Sequence, residues 1–202
     1  MLERGSMRMI RHDSISQIFI IIAVMVTLYL ATFQVTSVIL FPVILLLSGF
    51  MLQFYVLRHI EIVNHLTEEK TLVSIGYYSA LALVAIAISG YIAQNIPFEL
   101  TGIDAYLFAY LMAISEEQFF RGFITNFFLL KLNNPLLAIV ASGFVFCIYH
   151  LARYGTEPSA LMYVFLGGCI LSWVAYRSGR LSPVMIAHTI NNLIAIAVGG
   201  GV

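Results

Sequence analysis

Glu116, Glu117 and Arg121 stand in the run Ser115-Glu116-Glu117-Gln118-Phe119-Phe120-Arg121, inside a long apolar stretch. Charges there cost roughly 2.5–3.5 kcal/mol each on insertion-based scales, about 8–10 kcal/mol for the three, unless they are paired, protonated or set in a water-filled cavity. Glu117 and Arg121 are four residues apart with the acid nearer the N-terminus, the better order for an intrahelical ion pair. A pair that simply locks the helix in place is the plain reading of these two. Glu116 lies about 100° round the helix from Glu117 and five residues from Arg121. One arginine does not easily serve both acids, so Glu116 needs a partner on another helix.

Phe146-Cys-Ile-Tyr-His150 offers one, with a ring and an imidazole one turn apart on a shared face. A lone histidine on an apolar helix is ordinarily a satisfied core residue. Here, however, Glu116 lies seventeen residues before Asn133 and His150 seventeen after it. In an antiparallel hairpin turning at Asn133 both reach the same height, about 25 Å from the turn at about 1.5 Å per residue. A third run, His188-Thr-Ile-Asn191-Asn192, places His188 and Asn192 on one face. They lie only nine and thirteen residues beyond Gly179, lower than Glu116 unless that turn is recessed or the helix tilts. His12, His59 and His65 fall in polar segments and read as solvated. Cys147 is turned about 300° from His150 and is a poor nucleophile candidate. Cys147 and Cys169 read as buried reduced thiols, with no disulfide framework.

A carboxylate beside an imidazole can hold and deprotonate a water. A second imidazole with an amide can donate hydrogen bonds to a tetrahedral oxyanion. Glu116 with His150, and His188 with Asn192, are thus the parts for hydrolysing a peptide bond without a Ser or Cys nucleophile. Two other readings use the same residues. Glu116, His150 and His188 could hold zinc with one position open for water, although the chain has no HExxH helix. Intramembrane carboxylates also serve proton-coupled transporters, which usually carry inverted repeats; none is visible here. The third alternative is a membrane scaffold or sensor without turnover.

The elements that must position these groups are membrane helices. Of 202 residues 61% are hydrophobic and 10% charged, and mean hydropathy is +0.96. Soluble domains run at about 45–50% apolar and about 25% charged. That excludes a soluble enzyme, a disordered tail and, for want of a basic patch, a nucleic-acid partner. Apolar runs predict helices at 14–33, 36–57, 71–93, 105–131, 135–151, 159–176 and 182–198, an all-α polytopic bundle of about seven spans. The runs are too long for strands and lack their alternation. Asn133-Asn134-Pro135, Tyr154–Pro158 and Arg177–Pro183 punctuate the breaks. With the N-terminus inside, Arg4, Arg8, Arg11, Arg58, Lys70, Lys131, Arg177 and Arg180 fall on the cytoplasmic side and Arg153 outside, which fits the positive-inside rule. The C-terminus then lies outside the cell membrane. Residues 1–12 read as a cytoplasmic segment, Met1–Ser6 as an expression scar, and 58–70 as a polar connection on the cytoplasmic face. The first apolar run reads as a retained anchor rather than a cleaved signal. Residues 13–202 form one membrane-embedded domain.

Glu-Glu-x-x-x-Arg at 116–121, Phe-x-x-x-His at 146–150 and His-x-x-x-Asn at 188–192, in that order on three hydrophobic helices, resemble the CAAX protease and bacteriocin-processing family. Its members are intramembrane glutamate endopeptidases and include the Ras-converting CAAX enzymes. The resemblance spans about residues 100–198. It implies that Glu116 and His150 activate the water and that His188 and Asn192 form the oxyanion hole. Glu117, Arg121 and Phe146 then take supporting positions. It also implies no cofactor and a membrane-associated peptide or protein tail as substrate. Ras-converting members usually have longer loops and an eighth helix. The shorter chain here points instead to a prokaryotic-type relative, processing secreted peptides or other tails or serving bacteriocin immunity.

Overall fold

A computed structural model describes residues 21–22, 25–26, 39–57, 71–93 and 103–199. Of the expected helix at 14–33 only residues 21–22 and 25–26 are described, and they are helical. The segments expected at 1–12 and 58–70 lie outside the described residues. The elements are α1 (Leu40–Leu57), α2 (Thr71–Ala93) and α3 (Ile103–Glu116), then a π-helical segment (Glu117–Thr125) running directly into α4 (Asn126–Leu132). They continue with α5 (Pro135–Tyr149), the single turn α6 (Leu151–Tyr154), α7 (Pro158–Ser178) and α8 (Ser182–Gly199). Among the described residues there is no strand.

The distribution of polarity is the reverse of a soluble bundle. Glu116, Glu117, Arg121 and Asn126 are buried, while Met51, Leu136 and Phe144 are 72%, 69% and 58% exposed. Helices that are apolar on their outer faces and polar within suit a lipid surround. The stretch Pro135–Tyr154 and helix α7 are long and apolar enough to cross a membrane, and α1, α2 and α8 contain shorter apolar stretches.

The turn chemistry follows the residues. Asn133 ends α4 in the left-handed conformation at φ 48°, which asparagine tolerates better than most side chains. Asn134 then caps α5, its side-chain oxygen accepting from the backbone N–H of Leu136 and Leu137 at 3.0 and 3.2 Å, with Pro135 at the first helical position. Gly179, at φ 68°, closes α7.

Three features register the core. Phe119, Phe120 and Phe123 of the π segment are fully buried, and Phe120 packs edge-on to Phe146 with centroids 4.9 Å apart. Helices α5 and α7 meet at glycines: a Cβ on Gly168 would stand 3.0 Å from the Gly143 Cα. Small residues at such crossings let backbones approach in membranes, where packing replaces the hydrophobic effect. Beside that crossing the hydroxyls of Thr125, Ser142 and Ser172 form a buried triangle with sides of 2.8, 3.2 and 3.2 Å. It ties the end of the π segment to α5 and α7.

One expectation needs correction. The helix predicted over 105–131 is not uniformly α: nine residues after Glu116 adopt the wider i→i+5 ladder, a rare form that recurs at functional sites. His188, expected lower than Glu116 unless the Gly179 turn is recessed or the helix tilts, reaches its level, with Nε2 3.7 Å from Glu116 Oε2; just beyond that turn Arg180 and Leu181 are 6% and 8% exposed.

Candidate active site

Glu116 is the last residue of α3 and Glu117 the first of the π segment, 5% and 0% exposed. Arg121 donates from Nη1 to Glu117 Oε1 at 3.0 Å and from Nη2 to the Gly168 carbonyl at 3.1 Å. Its guanidinium lies over the Phe146 ring, 4.4 Å from the centroid. An arginine held by a carboxylate, a carbonyl and a ring face is fixed in position, and Glu117 is fixed with it.

The same Glu117 oxygen also lies 2.6 Å from His188 Nδ1. This contact was not foreseen: Glu117 bridges Arg121 to His188 rather than serving Arg121 alone. Because a carboxylate accepts, the proton at this contact is on Nδ1, and His188 turns Nε2 toward Glu116, 3.7 Å from Oε2. His150 is oriented in the same way. Its Nδ1 lies 2.9 Å from the Phe146 carbonyl, an acceptor, so Nδ1 donates and Nε2 faces Glu116 Oε1 at 3.9 Å. The His150 ring is packed against Phe146, with centroids 4.4 Å apart, and lies parallel to Tyr154 at 5.8 Å and 9°.

Glu116 thus sits between two imidazole Nε2 atoms contributed by α8 and the end of α5. All three line a cavity of about 290 Å³, together with Asn192, Asn191 and Tyr163. Along α8 the lining positions are His188, Asn191, Asn192 and Ala195, the i, i+3, i+4, i+7 stripe of one helix face. Asn191 stands beside Asn192, three residues after His188. Its spacing from His188 was the available signal. Tyr163 carried no signal, because only the packing of α7 on α8 brings its hydroxyl to the Asn191 amide, 3.0 Å from Nδ2 and 3.2 Å from Oδ1.

Glu116, His150 and His188 are also the residues that could offer ligands to a metal. Among the described residues no three His, Cys, Asp or Glu side chains meet the spacing of a metal cluster.

Residues 99–194, just under half of the chain, match the family model for type II CAAX prenyl endopeptidase, Rce1-like. Over these residues the chain is similar to that family. All three polar motifs of the CAAX protease domain fall inside the match. Comparison with curated proteins and with solved structures gives no match.

Proposed function

We propose that the protein is an intramembrane glutamate endopeptidase that cuts a membrane-associated peptide or protein tail by direct attack of water. The observation that carries this reading is the placing of Glu116 between His150 and His188 on a cavity wall. The gap of 3.9 Å between Glu116 Oε1 and His150 Nε2 exceeds a direct hydrogen bond, yet one water can touch both. Glu116 takes a proton from that water while its oxygen adds to the scissile carbonyl carbon, the lone pair on His150 Nε2 orienting it. The carbonyl π pair moves onto oxygen. His188 and the Asn192 amide donate to that oxyanion. His188 donates from Nε2 only when doubly protonated, the form in which it makes an ion pair with Glu117. Collapse of the intermediate breaks the C–N bond. The proton held by Glu116 passes to the leaving nitrogen, giving a carboxylic acid and an amine; the acid proton then passes to the amine, leaving a carboxylate and an ammonium.

No step in this scheme uses a cofactor, and the zinc-dependent alternative is separated from it by metal analysis. The arrangement of spans proposed is polytopic, about seven helices with the N-terminus cytoplasmic. The reading is tested by comparing membranes that contain the wild-type protein with membranes that contain Glu116→Gln, using mass spectrometry of C-terminal peptides. A tail that accumulates uncut only with Glu116→Gln is expected. Identical peptide sets from active-site-intact and substituted protein would remove endopeptidase function.

A further inference from the structure

Asn191 has hydrogen-bonding capacity that the hydrolytic scheme does not use. A side-chain amide offers two N–H donors and two acceptor sites on its oxygen. The Tyr163 hydroxyl straddles one edge of the Asn191 amide, at 3.0 Å from Nδ2 and 3.2 Å from Oδ1. That leaves one N–H and one oxygen lone pair. Asn191 and Tyr163 are both half-buried and both line the catalytic cavity. Asn191 follows His188 by three residues on the face that carries Asn192.

A substrate drawn into this cavity brings backbone N–H and C=O groups into low-dielectric surroundings. Each one left without a partner costs a few kcal/mol, the constraint that otherwise confines membrane backbone to helices. The scissile carbonyl is served by His188 and Asn192; the N–H of the adjacent peptide unit needs an acceptor. The remaining lone pair on Asn191 Oδ1 can accept from the N–H of that unit, and Tyr163 holds the amide so that little rotamer freedom is lost on binding.

We infer that Asn191, oriented by Tyr163, is the subsite that binds the substrate peptide unit next to the scissile bond. The inference rests on the peptidase reading of the cavity, and its test measures binding separately from turnover. Two fluorescent C-terminal peptides serve as probes, one with an S-farnesyl cysteine and one with an N-terminal decanoyl chain. They are titrated against detergent-purified Glu116→Gln protein by anisotropy. Adding Asn191→Ala to that background raises Kd about tenfold, the size of one well-made hydrogen bond, and adding Tyr163→Phe raises it about threefold. In a series of probes with each backbone N–H replaced in turn by an ester oxygen, affinity falls at one position. Asn191→Ala removes that sensitivity and no other, as coupled partners require.

Equal Kd values with and without Asn191, or a fall in melting temperature with Kd unchanged, overturn the subsite and leave a plain α7–α8 clasp. Absence of saturable binding by either probe overturns it as well. If the Asn191-dependent binding is found but wild-type protein leaves both probes uncut, the subsite stands and the endopeptidase reading is what fails.

Discussion

Glu116 and Glu117 are adjacent, yet their surroundings assign them different work. Glu117 is engaged on one oxygen by both Arg121 and His188, whereas Glu116 faces two imidazoles across gaps wider than a hydrogen bond. Glu116→Gln and His150→Ala should each lower hydrolysis by about 10²–10⁴-fold, the range for a lost general base, with the protein still in the membrane. Near-wild-type turnover in either purified variant removes the water-activating pair. Glu117→Ala leaves Arg121 as an uncompensated buried charge, at about 3–5 kcal/mol. It should therefore lower stability in detergent as well as activity, since His188 loses the acceptor that orients it. Glu116→Ala should not be destabilised in this way; a less stable Glu116→Ala would reverse the two roles. Asn192→Ala should cut kcat by about 10²–10³ with little change in KM. A raised KM at unchanged kcat would make Asn192 a substrate anchor instead.

At the level of elements, the π segment decides which side chains converge. It carries Glu117, Arg121 and three buried phenylalanines, and the hydroxyl triangle at Thr125 pins its far end to α5 and α7. Thr125→Val keeps the shape and removes two interhelical hydrogen bonds, so chemical denaturation should report a loss of about 1–2 kcal/mol. Thr125→Ser should restore most of it. Unchanged stability in Thr125→Val means that the triangle holds nothing. Gly143→Ala tests the neighbouring crossing. Its Cβ would stand 2.4 Å from Cys169 Sγ and 3.1 Å from the Cys169 backbone nitrogen. The thiol can turn aside but the backbone cannot. Helix α7 must shift with the Gly168 carbonyl that receives Arg121, at a cost of about 1–3 kcal/mol. The order of the helices and the Asn133–Pro135 turn were readable from apolar runs and punctuation. The π segment was not, because a change from i→i+4 to i→i+5 leaves no mark in apolar spacing over nine residues.

For the whole molecule, the charge asymmetry predicts which turns face which side. With Cys147 and Cys169 replaced by serine, a cysteine at Thr156 should react with an impermeant maleimide on intact cells, and one at Asn134 only after permeabilisation. The opposite pattern would invert the topology. Metal is decided on the same scale, because it concerns the assembled cavity. Active protein should carry substoichiometric zinc by elemental analysis and keep its activity after chelation. Stoichiometric zinc, with activity lost on chelation and regained on zinc addition, favours the metalloprotease.

Composition alone pointed to a membrane protein, because 61% hydrophobic residues with 10% charged ones leave too little polar surface for water, and the length of the apolar runs pointed to helices. Spacing alone paired Glu117 with Arg121, since four residues along one helix is a local distance. The equal spans from Asn133 likewise placed Glu116 opposite His150, since a hairpin with a tight turn has one register. Tertiary structure was needed wherever the answer depended on how deep a turn sits or which helices touch. The packing of α8 sets His188 beside Glu116 and brings its Nδ1 onto Glu117. Packing of α7 against α8 makes an oriented pair of Tyr163 and Asn191. Translation and rotation of one helix against another are set by side-chain packing across the interface, such as the approach of Gly143 to Gly168, and no periodicity within a single helix encodes them.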